Sequence, residues 1–105
     1  MSNERPSHAT DVLRLELDKD GYPTDETLVQ IEKYEGNFSI LMAEVAFLFG
    51  TYGRCEFSGN HWTVATGGWS GCESVIEALK KNTMFWMICW QLSKRGGYYE
   101  FITKS

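Results

Sequence analysis

Residues 54–65 read RCEFSGNHWTVA, and the central Gly59-Asn60 suits a two-residue primed β-turn. A turn at that point sets the register of its flanks: Phe57 falls opposite Trp62, and Cys55 opposite Val64. Those four side chains share one face. The other face collects Arg54, Glu56, Ser58, His61, Thr63 and Ala65. A slip of one residue would turn every side chain to the wrong side, so the separation of apolar from mostly polar specifies an antiparallel pair with one buried face. That face needs a cover.

The preceding segment supplies one. From about Asn37 to Phe49, closed by Gly50, the chain reads as a helix. Phe38, Ile40, Leu41, Met42, Val45, Phe47, Leu48 and Phe49 take most of its circumference, and Glu44 is its one charge. A helix apolar nearly all round is buried between layers or used in an interface. A shorter helix comes before it. Thr24 caps it, Asp25 and Glu26 suit its positive end, Leu28, Ile31 and Tyr34 form its stripe, and Gly36 ends it.

Asp18 to Pro23 is a turn. Its D-x-D-G run resembles the start of a calcium loop, but Pro23 stands where such a loop needs glycine and Val29 where it needs glutamate, which excludes that reading. Upstream, Leu13, Leu15 and Leu17 alternate with Arg14 and Glu16, which predicts a half-buried strand over residues 12–17.

Cys72, Val75, Ile76 and Leu79 recur at helical spacing and predict a third helix over 70–82. A strand is expected from Met84 to Ser93, turning at Lys94-Arg95-Gly96-Gly97 and returning from Tyr98 to Thr103. In that register Trp86, Ile88, Trp90 and Leu92 share a face with Tyr99 and Phe101. Phe85, Met87, Cys89 and Ile102 share the other with Gln91, Ser93, Tyr98 and Glu100. The expected order is β-α-α-β-β-α-β-β: an α+β single domain over 11–105, a mostly antiparallel sheet with helices packed on one face, and a flexible tail over 1–10.

Composition sets limits on function. The 105 residues are 43% apolar, enough for one core of modest stability. The net charge of −4 disfavours nucleic acid as a partner. No apolar run reaches the ~18 residues of a membrane span, and the first eleven residues carry no secretory pattern. Cys55, Cys72 and Cys89 make an odd count without a CxxC pair, and His8 and His61 are the only histidines. Reduced thiols in a cytoplasm are expected, with no zinc site and no cofactor.

Residues 66–74, TGGWSGCES, admit several readings. Ser70 and Glu73 fit a capping box, each bonding the other's amide. The same amides could cradle a phosphate, but Glu73 brings its own charge and no P-loop lysine follows. Cys72 in the first turn suits a thiolate, yet it belongs to the buried stripe, and His61 has no obvious aspartate to orient it. Trp69 is open between two readings: a plug over the end of the core, or a stacking side chain on a binding loop. Gly67, Gly68, Trp69 and Ser70 therefore form a candidate ligand or partner site. Arg95 and Tyr98 join it from the neighbouring turn, and Lys94, Lys80 and Lys81 could add to a small positive patch. Glu32, Glu35 and Glu44 lie on helices with nothing to bring two carboxylates together across a cleft, so no catalytic residue is assigned. Phe85, Met87 and Ile102 are too apolar for an open strand face. They are covered either by the chain's own elements or by a partner, a second copy being the simplest.

Three blocks, DGYPTDETL at 20–28, TGGWSGCESVIEAL at 66–79 and TMFWMICWQLSKRGGYYEF at 83–101, resemble a family of small proteins encoded by bacteriophages and prophages. The family has no assigned activity, so the resemblance implies an origin and the cytoplasm of a host cell but no functional residues. It also implies two kinds of role: binding a host or defence-system protein, or sequestering a nucleotide signal. Together with the residues, it leads to an expectation of a non-enzymatic protein acting through protein contacts with itself or a host component. The alternative is a binder of a small anionic, nucleotide-like ligand at the Gly67–Ser70 loop.

Overall fold

The computed structural model describes residues 13–50 and 53–103. The tail expected over 1–10 lies outside them. Four helices, α1 (Asp25–Lys33), α2 (Phe38–Leu48), α3 (Ser70–Lys81) and α4 (Thr83–Cys89), accompany four strands, β1 (Arg54–Ser58), β2 (His61–Ala65), β3 (Trp90–Lys94) and β4 (Tyr98–Ile102). The strands form one antiparallel sheet in the order β1-β2-β4-β3. This is an α+β arrangement around one core.

The sheet follows the sequence logic. β1 and β2 pair with Cys55 opposite Val64 and Phe57 opposite Trp62, and Gly59 at the turn takes a φ of 63°. The alternation buries Trp62, Val64 and Phe101 under the helices. It leaves Arg54, Glu56, Ser58 and His61 exposed, with Glu100 half-buried, on the open face. Phe57 stacks on Trp62 at 4.6 Å but is 64% exposed, because it sits at the sheet's outer edge.

The helices begin where side chains satisfy their first amides. Thr24 Oγ1 accepts from the Thr27 amide and Asn37 Oδ1 from Ser39 and Ile40. α2 is less enclosed than its sequence suggests. Leu41, Met42, Val45 and Leu48 are buried, whereas Phe47 is 72% exposed and Ile40 half exposed.

Two expected elements differ. Residues 13–17 keep the predicted alternation, with Leu15 buried and Leu13 and Leu17 half-buried, but form no strand beyond a single bridge from Leu17 to Pro23. The reason lies in α1. Gln30 accepts from the Arg14 amide and donates to its carbonyl, and buried Thr27 does the same for Glu16. Side chains of a helix thus take the place of a neighbouring strand.

The second difference is α4. Met84 to Cys89 is helical, and only from Trp90 does the chain extend. Short apolar runs suit both periods, and here spacing i, i+4 prevails: Phe85 and Cys89 are fully buried. Asn82 makes the difference. Its Oδ1 accepts from the Phe85 amide and starts α4, while its Nδ2 donates to the Ile31 and Tyr34 carbonyls at the end of α1.

Candidate functional sites

The loop from Thr66 to Ser70 joins β2 to α3. Gly67 and Gly68 both take positive φ, 68° and 78°, to make the corner. The expected capping box does not form. The N-cap position is Trp69, without a side-chain cap, and the Ser70 hydroxyl donates instead to the Tyr22 hydroxyl at 3.3 Å. Trp69 is half-buried against the core, 4.8 Å from the Tyr22 ring, with its indole folded over Gly71 so closely that a Cβ there would collide with it. Its packing is what the plug reading expects, and its remaining exposure leaves part of it at the surface.

The turn after β3 meets this loop. The Thr66 amide donates to the Gly97 carbonyl at 2.9 Å, and a Cβ on Gly97 would strike the Thr66 hydroxyl. Gly67 and Gly68 therefore adjoin the turn that carries exposed Arg95. The broader positive patch does not assemble. Lys80 lies over the Trp86 and Tyr99 rings, 5.8 and 6.0 Å from their centres, and pairs with Glu77; Lys81 reaches Glu32; Lys94 lies over Tyr98.

Tyr98 has another role, not visible in the sequence. On the open sheet face its hydroxyl donates to Glu100 Oε2 at 2.5 Å, while His61 Nε2 lies 3.0 Å from Glu100 Oε1. The bond from Tyr98 is the main cause holding the Glu100 carboxyl below its ordinary range, with His61 second. Tyr98 is correspondingly raised, first by that bond and then by partial burial. His61 thus has its orienting carboxylate, a glutamate one strand away on β4 rather than an aspartate nearby in sequence. The β2–β4 register, which sets His61 opposite Ile102 and Thr63 opposite Glu100, carries this information. A hairpin reading of β1 and β2 alone could not supply it.

Cys72 is buried on the opposite side of the sheet, and its thiol is pushed up to about 11 by burial and then by Glu73. Burial pushes Cys55 and Cys89 up to about 11 as well, with Glu56 adding to the effect at Cys55. Thiols raised in this way stay protonated at neutral pH, which disfavours a nucleophilic role. A cleft of about 720 Å³ lies where α1 ends against the α3–α4 junction, and it does bring Glu32 and Glu35 to one place, with Lys81 4.0 Å from Glu32.

The apolar face expected from Phe85, Met87 and Ile102 is divided by the helix. Phe85 is core, packed on Phe38 and Phe101. Ile102 is half-buried on β4, on the His61 side of the sheet. Met87 is 76% exposed on α4 and gains new neighbours by helical spacing: Met84 at 59% and Ile88 at 50%, with Trp90 at 40% just beyond. Trp90 stacks on Trp86 at 5.8 Å.

No group of histidine, cysteine, aspartate or glutamate among the described residues could hold a metal ion. No helix among them is long and apolar enough to cross a membrane. No family model, curated protein or solved structure matches the chain.

Proposed function

We propose that this is a non-enzymatic binding protein, phage-encoded and working in the cytoplasm of a host cell, that docks a host protein through the outer face of α4. One observation carries the reading: a seven-residue helix turns Met84, Met87 and Ile88 outward together, with Trp90 at its end, while Phe85 and Cys89 anchor its inner side. Methionines and a tryptophan on a helix with a fixed core side make an adaptable contact surface. The thiols support the same reading, since raised values keep them protonated at neutral pH and so poor nucleophiles.

The test is affinity isolation from the natural host, with native mass spectrometry of the wild type and of Met87→Glu. A host protein in fixed ratio with the wild type and lost from the variant supports the reading. Retention by the wild type and Met87→Glu alike, or a small molecule in place of a protein, counts against it.

A second reading is supported by the Thr66–Gly97 contact, which sets Gly67 and Gly68 beside the Arg95 turn. A small anion could sit there, with Glu73 opposing it. Thermal shift with a panel of nucleotides tests this. Ligand at 100 times its dissociation constant stabilises by about 2.7 kcal/mol, a rise of several degrees at this size.

A further inference from the structure

The sheet has two edges, and they are not alike. The β3 edge is protected: its register breaks at an irregularity between Trp90 and Leu92, and it ends on exposed Lys94. Bulges and lysines of this kind prevent strand-to-strand association. β1 is regular throughout its five residues, and among the described residues it pairs only with β2.

The hairpin geometry says which backbone groups of β1 point away from the sheet. Across a two-residue turn the closing pair, Ser58 and His61, exchanges both hydrogen bonds. Alternation then turns the amide and carbonyl of residues 54, 56 and 58 toward β2. Those of Cys55 and Phe57 point outward.

A second β1 can pair with these outward groups antiparallel about a two-fold axis, and the side chains select the register. Arg54 and Glu56 stand on the open face, 74% and 68% exposed and 3.7 Å apart. An axis through Glu56 would set two carboxylates directly opposite, which is unfavourable. An axis through Cys55 sets Arg54 of each copy opposite Glu56 of the other, twice over. It also sets Phe57 opposite Gly53, the residue just before β1. Gly53 has no room for a side chain of its own, because a Cβ would lie 2.6 Å from the Ala65 carbonyl and 2.8 Å from Phe49. Gly53 therefore sets no side chain opposite Phe57, and its amide already donates to the Phe49 carbonyl at 3.0 Å, so the charge pairs carry the choice of register.

We infer that the β1 edge is a self-association surface, on which a second copy of this chain pairs antiparallel about Cys55 to continue the sheet to eight strands. The surface is separate from α4, so the two proposals fail independently. Both faces of the interface are the same patch, as two-fold symmetry requires.

Sedimentation velocity on five purified proteins tests it: the wild type, Arg54→Glu, Glu56→Arg, the double variant and Met87→Glu. The wild type is expected as a dimer, and Arg54→Glu and Glu56→Arg each as monomers, because each places like charges at both contacts. An equal mixture of the two single variants is expected to form dimers again, and so is the double variant, since opposite charges then meet at every contact. Circular dichroism checks that each variant is folded, and both positions are exposed. The charge swaps read the register, and hydrogen exchange reads the edge: the Cys55 and Phe57 amides are expected to exchange slowly in the dimer and fast in the monomers.

A monomeric wild type overturns the inference. So does a dimer unmoved by the charge changes, or one lost in Met87→Glu instead. A monomer whose Cys55 and Phe57 amides remain protected would put another segment of the chain on the edge and overturn it too.

Discussion

At the scale of single residues, a few polar side chains settle what the apolar pattern leaves open. Asn82 is buried, and it joins the end of α1, the end of α3 and the start of α4. Asn82→Ala removes three buried hydrogen bonds at once, and urea denaturation is expected to show a loss of roughly 2–4 kcal/mol. Thr103 is buried as well: its hydroxyl oxygen accepts from the Trp62 ring N–H at 3.0 Å and from the Ser39 hydroxyl at 2.7 Å. Sequence patterns miss such residues because a buried asparagine or threonine carries no periodic signal. Only its partners, far away along the chain, give it meaning. Glu100 belongs to the same group and makes a pH-dependent prediction. Its carboxyl is held below the ordinary value of 4.5 in the folded state. Its contribution is therefore fully present above pH 4.5 and is lost as pH falls through the lower folded value. Tyr98→Phe is expected to flatten this acid decline, as measured by denaturation of both proteins across that range.

At the scale of elements, the hairpin β1–β2, helices α1, α2 and α3, and the Lys94–Gly97 turn were legible to within a residue or two. The hairpin, α1 and α3 carry a periodic pattern, whereas α2, apolar nearly all round, was legible from its stops at Asn37 and Gly50. α4 was not legible. Its run Met84-Phe85-Trp86-Met87-Ile88-Cys89 is apolar at every position, so neither period stands out, and the strand reading borrowed its length from the strand that follows. Residues 13–17 failed for the opposite reason. The alternation was correct, but alternation reports which side chains are buried and not what the backbone bonds to. The α4 assignment has a direct check. Phe85→Ala is expected to cost about 3–5 kcal/mol by denaturation, since it opens a cavity against Phe101 and Phe38. Met87→Glu is expected to stay within about 0.5 kcal/mol, because its side chain stands in solvent. On a strand the two would have shared a face and an outcome.

At the scale of the whole molecule, the candidate sites were legible in part. The Gly67–Ser70 loop and the Arg95 turn were each identified from sequence, and the Thr66–Gly97 bond brings them together. The grouping of Phe85, Met87 and Ile102 depended on the strand that became α4 and did not survive it. The His61–Glu100–Tyr98 set required knowing that β4 lies beside β2. The sheet order also predicts how protection against exchange is distributed. In the monomeric Glu56→Arg protein, hydrogen exchange measured by NMR should be slowest in β2 and β4, each bonded on both sides, and faster in β1.

The same order bears on how the protein is made. β4 is the latest of the four strands in the sequence, yet it lies between β2 and β3 in the sheet. A ribosome delivers the β1–β2 hairpin well before the strand that must lie alongside it. During that interval Trp62 has neither Phe101 beside it nor the Thr103 hydroxyl to hold its ring nitrogen. The nascent chain therefore carries an incomplete sheet with an open flank while some forty more residues are added. At about 5–20 residues per second this lasts for seconds. That interval, rather than the finished fold, is when the molecule is most open to chaperones, proteases and mispairing.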